Sequence, residues 1–176
     1  MKRVVTGFDE NGKSIFLKIG EPPHTVEFPG KKYIELWSTG ADVSVPVKDP
    51  DMEPTKTYSS MFPAFGETRI RIVEFDMDKR VPLDTPEFLE KYRRELPGFL
   101  EHMEDGTGAS GMHATDSVDY GIVLKGKIEL ELDDGAKVML ETGDVVIQNG
   151  TRHAWHPHPV GQCTMLWILI GAHRTE

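Results

Sequence analysis

A chain of 176 residues with a formal net charge of −9 and a pI near 5.3 is long enough to bury one continuous core, and too acidic to offer phosphates a basic face. Nucleic acid and anionic membranes are therefore excluded as expected partners, and a small-molecule ligand takes their place. Cys163 is the single cysteine, so an internal disulfide and a cysteine-based zinc site are excluded as well, and beside the apolar run TMLWILIGA it reads as a buried structural thiol. The opening MKRVVTGFDENGK lacks the apolar run of a signal peptide, and no segment approaches a membrane span. The expectation is one cytoplasmic domain over residues 1–176.

In chain order, RVVTGF and SIFLK flank DENGK as a hairpin, with Asn11-Gly12 supplying the positive-φ turn. A polar, proline-containing link follows. KYIELWST and TRIRIVEFDM read as further strands, the second with Ile70, Ile72 and Phe75 interrupted by Arg69, Arg71 and Glu74. Between them, residues 45–67 have many prolines and little periodicity, as expected of a long loop lying over the domain. DTPEFLEKYRRELPGF is the one helix: Thr85 caps it, Pro86 takes its first position, and Pro97-Gly98 stop it. Phe88, Leu89, Tyr92 and Leu96 fall on one stripe, which needs a larger surface to pack against. From Asp119 onward strands follow one another, with Ile128, Leu130 and Leu132 alternating up to the Asp134-Gly135 turn and Val138 and Leu140 alternating beyond it. Short strands broken by glycine turns predict an all-β antiparallel barrel or sandwich.

Strand alternation sorts the candidate site residues. In HATDSVDYGIV, His113, Thr115, Ser117 and Asp119 share one face, while Asp116, Val118, Tyr120 and Ile122 share the other. In QNGTRHAWHPHP, His153 and Trp155 share a face, and His156 and His158 read as part of a surface turn. His113, Asp119 and His153 can act in either of two ways. They form a ligand set for Fe(II), Zn, Mn or Ni, or a metal-free acid/base group in which the histidines exchange a proton and Asp119 fixes a tautomer. The residues alone do not separate the two, and no nucleotide cofactor is expected. Around them, Thr115 and Trp155 are candidate substrate contacts, with Trp155 stacking on a flat substrate. Arg69 and Arg71 hold a substrate carboxylate if their sheet face lines the barrel. Tyr120 takes part only if its face turns inward.

This spacing resembles the cupin superfamily, whose first motif runs histidine, one residue, histidine, three or four residues, glutamate, six residues, glycine. Here His113, Thr115, Asp119 and Gly126 stand at those positions. The second motif is matched by Gly143-Asp144, by Asn149-Gly150 in place of the turn, and by His153, with Pro157 where asparagine is usual. The resemblance covers residues 111–171, and residues 1–100 are expected to add strands, a loop and a helix over the barrel. It implies a double-stranded β-helix, or jelly-roll barrel, with an N-terminal strand extension and one peripheral helix. It also implies a homodimer, in keeping with the outer face of Val118, Tyr120 and Ile122. Metal-binding members use three histidines and a glutamate. Threonine replaces one imidazole here, and the aspartate reaches roughly 1.5 Å less far than a glutamate. The leading expectation is therefore proton-transfer chemistry of a dehydratase, isomerase or lyase on an oxygenated or aromatic metabolite. A metal-dependent oxygenase and a non-catalytic ligand-binding cupin are the alternatives.

Overall fold

A computed structural model describes residues 1–46, 52–57, 59–82 and 84–175. The chain runs through β1 (Arg3–Phe8), β2 (Ser14–Gly20), β3 (His24–Phe28), β4 (Lys31–Thr39), β5 (Thr68–Asp76), helix α1 (Pro86–Glu95), β6 (Ser117–Lys125), β7 (Lys127–Glu131), β8 (Lys137–Glu141), β9 (Val145–Asn149), β10 (Ala154–Pro157) and β11 (Gln162–Gly171). Every described strand pairing is antiparallel. One six-stranded sheet has the order β3-β4-β5-β11-β6-β9, a second has the order β10-β7-β8, and β1-β2 stands as a separate hairpin. The two larger sheets meet where Trp155 of β10 packs edge-on against Trp167 of β11, with ring centroids 5.0 Å apart. This is the jelly-roll barrel that the resemblance implies, and it meets the antiparallel barrel or sandwich expected from the strand run.

Turn chemistry sets the registers. Asp134 and Gly135 both take positive φ, 57° and 72°, which suits the tight connection from β7 to β8. At the first hairpin only Gly12 among the turn pair does so, with φ 76°, and Asn11 does not. The supposed link before β4 contains a strand that the sequence reading missed. Prolines on both sides of HTVEF hide β3, a five-residue edge strand paired with β4 from His24 opposite Glu35 to Phe28 opposite Lys31.

The helix forms where expected, although the Thr85 side chain makes no capping hydrogen bond. Its stripe is the reason it docks. Tyr92 and Leu96 are buried against Val26, Phe28, Tyr33 and Val73, with Phe88 and Leu89 at the margin, and each fully buried side chain contributes about 1.5–3 kcal/mol. Phe28 and Tyr92 stack at 4.1 Å, and Tyr92 and Phe99 at 4.5 Å. A second apolar cluster of Val123, Ile128, Cys163 and Met165 fills the barrel beyond Trp155 and Trp167. Cys163 is buried there, and desolvation pushes its thiol up to about 11, as befits an inert structural residue. In the expected loop, residues 47–51 and 58 lie outside the described residues. The described part holds a short 3-10 turn at Pro54–Lys56 and brings Met61 and Phe62 down over the barrel.

Candidate functional site

The site begins with an isolated bridge. His113 and His153 face each other as an antiparallel pair, each backbone N–H donating to the other's carbonyl at 2.9 Å. Such pairing puts both side chains on one face of the sheet, and the two imidazole centroids are 4.2 Å apart. The Nδ1 of His113 lies 2.8 Å from the Gly111 carbonyl, and the Nδ1 of His153 lies 2.8 Å from the Thr151 carbonyl. A carbonyl only accepts, so both Nδ1 atoms carry the proton and both Nε2 atoms are left as acceptors. Trp155 stands edge-on to His153 at 5.8 Å.

These groups line a cavity of about 140 Å³ that also includes Thr115, Asp119, Arg71, Trp167, Lys31 and the loop residues Met61 and Phe62. Asp119 is 4% exposed, and its Oδ1 finds no hydrogen-bond partner among the described residues. Desolvation raises its carboxyl from an ordinary 3.8 to about 6, against the opposing pull of the Ser117 hydroxyl, the Arg71 charge and the Thr115 hydroxyl. The histidines move the other way. Burial, reinforced by the neighbouring His153, lowers His113 from 6.5 to about 4, and burial lowers His153 as well.

Residues 99–169 match the family model of the cupin domain. This part of the chain is a cupin domain. Among curated relatives, 48 residues are 54% identical to the phomopsin biosynthesis cluster protein C′ of Diaporthe leptostromiformis, covering 27% of this chain and 25% of that one. A stretch of 65 residues is 40% identical to the cupin-domain-containing oxidoreductase virC of Hypocrea virens, covering 35% and 33%. A longer match to the cupin-domain-containing oxidoreductase srdB of Neurospora crassa is 24% identical over 155 residues, covering 87% and 64%. The chain thus spans only about a quarter to a third of the first curated relatives it matches.

Several expected site residues come together in this cavity, namely His113, His153, Asp119, Thr115, Trp155 and Arg71. Others do not. Tyr120 is 38% exposed on the outer face of β6, beside Val145 and Ile147 of edge strand β9, because even positions of that strand point away from the cavity. Arg69 is buried but outside the cavity wall, ion-paired with Glu67 at 2.7 Å and donating to the Thr68 carbonyl at 2.9 Å. Arg71 lines the cavity, but it is committed to the wholly buried Glu35, with Nε to Oε1 at 3.2 Å, and to the Met61 carbonyl. Asp116 points outward to Arg174, as the alternation predicts.

The metal reading fits the donors poorly. Among the described residues no three His, Cys, Asp or Glu side chains form a group able to hold an ion. Thr115 occupies a cupin ligand position, but its hydroxyl accepts from Ser117 at 2.9 Å, and Asp119 carries the shorter carboxylate. The tautomers, moreover, are fixed by the carbonyls of Gly111 and Thr151, which removes the role expected of Asp119. Sequence reasoning missed Glu35 and Lys31. Alternation with Tyr33 on β4 was the available signal for Glu35, and the PG turn before Lys31 was the only one for that residue.

Proposed function

We propose that this cupin is an enzyme that moves a proton on a small carbonyl-bearing or aromatic metabolite, a lyase- or isomerase-type reaction carried by Asp119, His113 and His153. The observation that supports this reading is an inversion of acidities around one cavity, with Asp119 near 6 and His113 near 4. At neutral pH both imidazoles are uncharged acceptors, and Asp119 is a carboxylate of nearly matched strength, the range that favours a general base. Asp119 Oδ1, which lacks a partner, takes the substrate proton. The Nε2 atoms of His113 and His153 accept from a substrate hydroxyl and fix its position.

The Hypocrea and Neurospora relatives are named oxidoreductases, which favours oxidation at the same cavity as a second reading. The test is hydrogen–deuterium exchange, followed by proton NMR in D2O on a panel of small ketones and aldehydes that carry α-hydrogens. The expected outcome is catalysed exchange with an acid limb near pH 6, reduced about 10²- to 10⁴-fold in Asp119→Asn and impaired in His113→Gln and His153→Gln. Exchange that Asp119→Asn leaves intact overturns the assignment. About one tightly bound metal ion per chain, lost in both histidine variants, overturns the metal-free reading in favour of the second.

A further inference from the structure

Lys31 stands at the neck between two hollows. The cavity of about 140 Å³ and an outer chamber of about 540 Å³ share Lys31, Phe75, Phe99 and Trp155 in their walls. The backbone holds Lys31 firmly in this place. Pro29-Gly30 make a two-residue turn in which Gly30 takes φ 73°, and a β-carbon there would lie 2.8 Å from both the Arg80 backbone and the Asp76 carbonyl. Lys31 then opens β4 directly opposite Phe75.

Its ammonium lies 5.0 Å from the centre of the Tyr33 ring, 5.3 Å from Phe99 and 5.5 Å from Phe75. No carboxylate pairs with it among the described residues. Lys32 makes the contrast. One position along, on the opposite face, it is ion-paired with Glu27 at 2.9 Å, and that bond raises its pKa.

We propose that Lys31 is a nucleophilic amine that captures the carbonyl group of an aldehyde or ketone as a Schiff base inside this cupin. Two circumstances activate such lysines, an apolar surrounding and a second cation nearby. Both are present. Desolvation, with the charge of Arg80 behind it, lowers the amine from 10.5 to about 8. The Lys31 ammonium first gives up a proton, and the Nζ lone pair then adds to the carbonyl carbon, forming the C–N bond. The added nitrogen passes one of its protons to the oxygen, the proton first lost by the ammonium returns to the same oxygen, the C–O bond breaks as the nitrogen lone pair forms the C=N bond, and water leaves. Ammonium plus carbonyl thus becomes iminium plus water, with charge balanced and no oxidant or reductant required. An iminium acidifies the adjacent C–H, which is the proton assigned above to Asp119, so the inference deepens that reading and rests on it.

The test traps the adduct. The protein is treated with limiting benzaldehyde and cyanoborohydride at pH 7.5, and labelled lysines are located by peptide mass mapping, with the N-terminal amine as the positive control. The expected result is labelling of Lys31 about tenfold or more faster than Lys32, because the neutral fraction of an amine near 8 exceeds that of an ordinary lysine by more than two orders of magnitude. The same preference is expected in His153→Gln, because trapping needs no turnover. Lys31 labelled no faster than Lys32 overturns the proposal even where α-hydrogen exchange is catalysed. Trapping without exchange leaves Lys31 established and the role of Asp119 rejected.

Discussion

Two carboxylates are buried on the inner face of the same six-stranded sheet, and they live in opposite electrostatic states. Glu35 on β4 is directly opposite Arg71 on β5 and ion-pairs with it in a region closed to water. Asp119 on β6 is opposite Leu169 on one side and Gln148 on the other, so its cross-strand neighbours offer no cation. Arg71 still lowers Asp119 from a distance, but more weakly than burial raises it. Burial alone therefore does not make a carboxylate reactive. The register decides, by placing a cation one strand away or leaving that place to a leucine.

The largest effect should come from breaking the paired region. Arg71→Met leaves Glu35 fully buried without its cation, and removing one partner of a buried pair costs about 3–5 kcal/mol. Urea unfolding at pH 7 should show that loss. Glu35→Met combined with Arg71→Met should recover most of it, because an apolar pair needs no compensation. If the single and double variants are equally unstable, the pair is not what holds β4 to β5 at this point.

The unpaired region should respond with the opposite sign. The carboxyl of Asp119 is raised from 3.8 to about 6, so between those values the folded chain binds more protons than the unfolded one, and stability falls as pH rises through that window. Above about pH 6 the folded state carries the cost of an ionised group, of the order of 2–3 kcal/mol at the usual conversion. Asp119→Asn should remove it and raise stability by about 1–2 kcal/mol at pH 7, less than the full amount because a buried amide needs partners of its own. Denaturation at pH 4 should show the gain gone. An asparagine variant that is destabilised at pH 7 would mean that the carboxylate is paired after all.

The same contrast explains what could be read in the sequence. Period-two alternation put His113, Thr115 and Asp119 on one face and turned Tyr120 and Asp116 outward, because that pattern is local to one strand. Two motif histidines forty residues apart pointed to a shared site, since their spacing matched a known family pattern. Glu35 and Arg71 were not legible as a pair. Their meeting depends on a register between strands separated by a long loop, and nothing local to either strand encodes it. Lys31 was hidden for another reason. In PGKK a lysine after a turn reads as solvated, and only the convergence of Tyr33, Phe75 and Phe99 from two strands and the segment after the helix desolvates it. β3 was lost because five residues between prolines carry too little pattern to be recognised as a strand.

The smallest effect tests how finely the unpaired region is tuned. The Ser117 and Thr115 hydroxyls lie 2.9 Å apart, and hydrogen bonding from this pair holds the Asp119 carboxyl below where burial alone would put it. Ser117→Ala removes one of these restraints without adding volume. The carboxyl of Asp119 should then titrate higher, followed through its side-chain carbon by NMR, and the fold should lose about 0.5–1.5 kcal/mol, the worth of one neutral hydrogen bond. The acid limb of α-hydrogen exchange should move up with it, because both readouts follow the same group. A stability loss with an unmoved Asp119 would confine the role of Ser117 to holding Thr115 in place. The tuning of the base would then come from the Arg71 charge and the Thr115 hydroxyl.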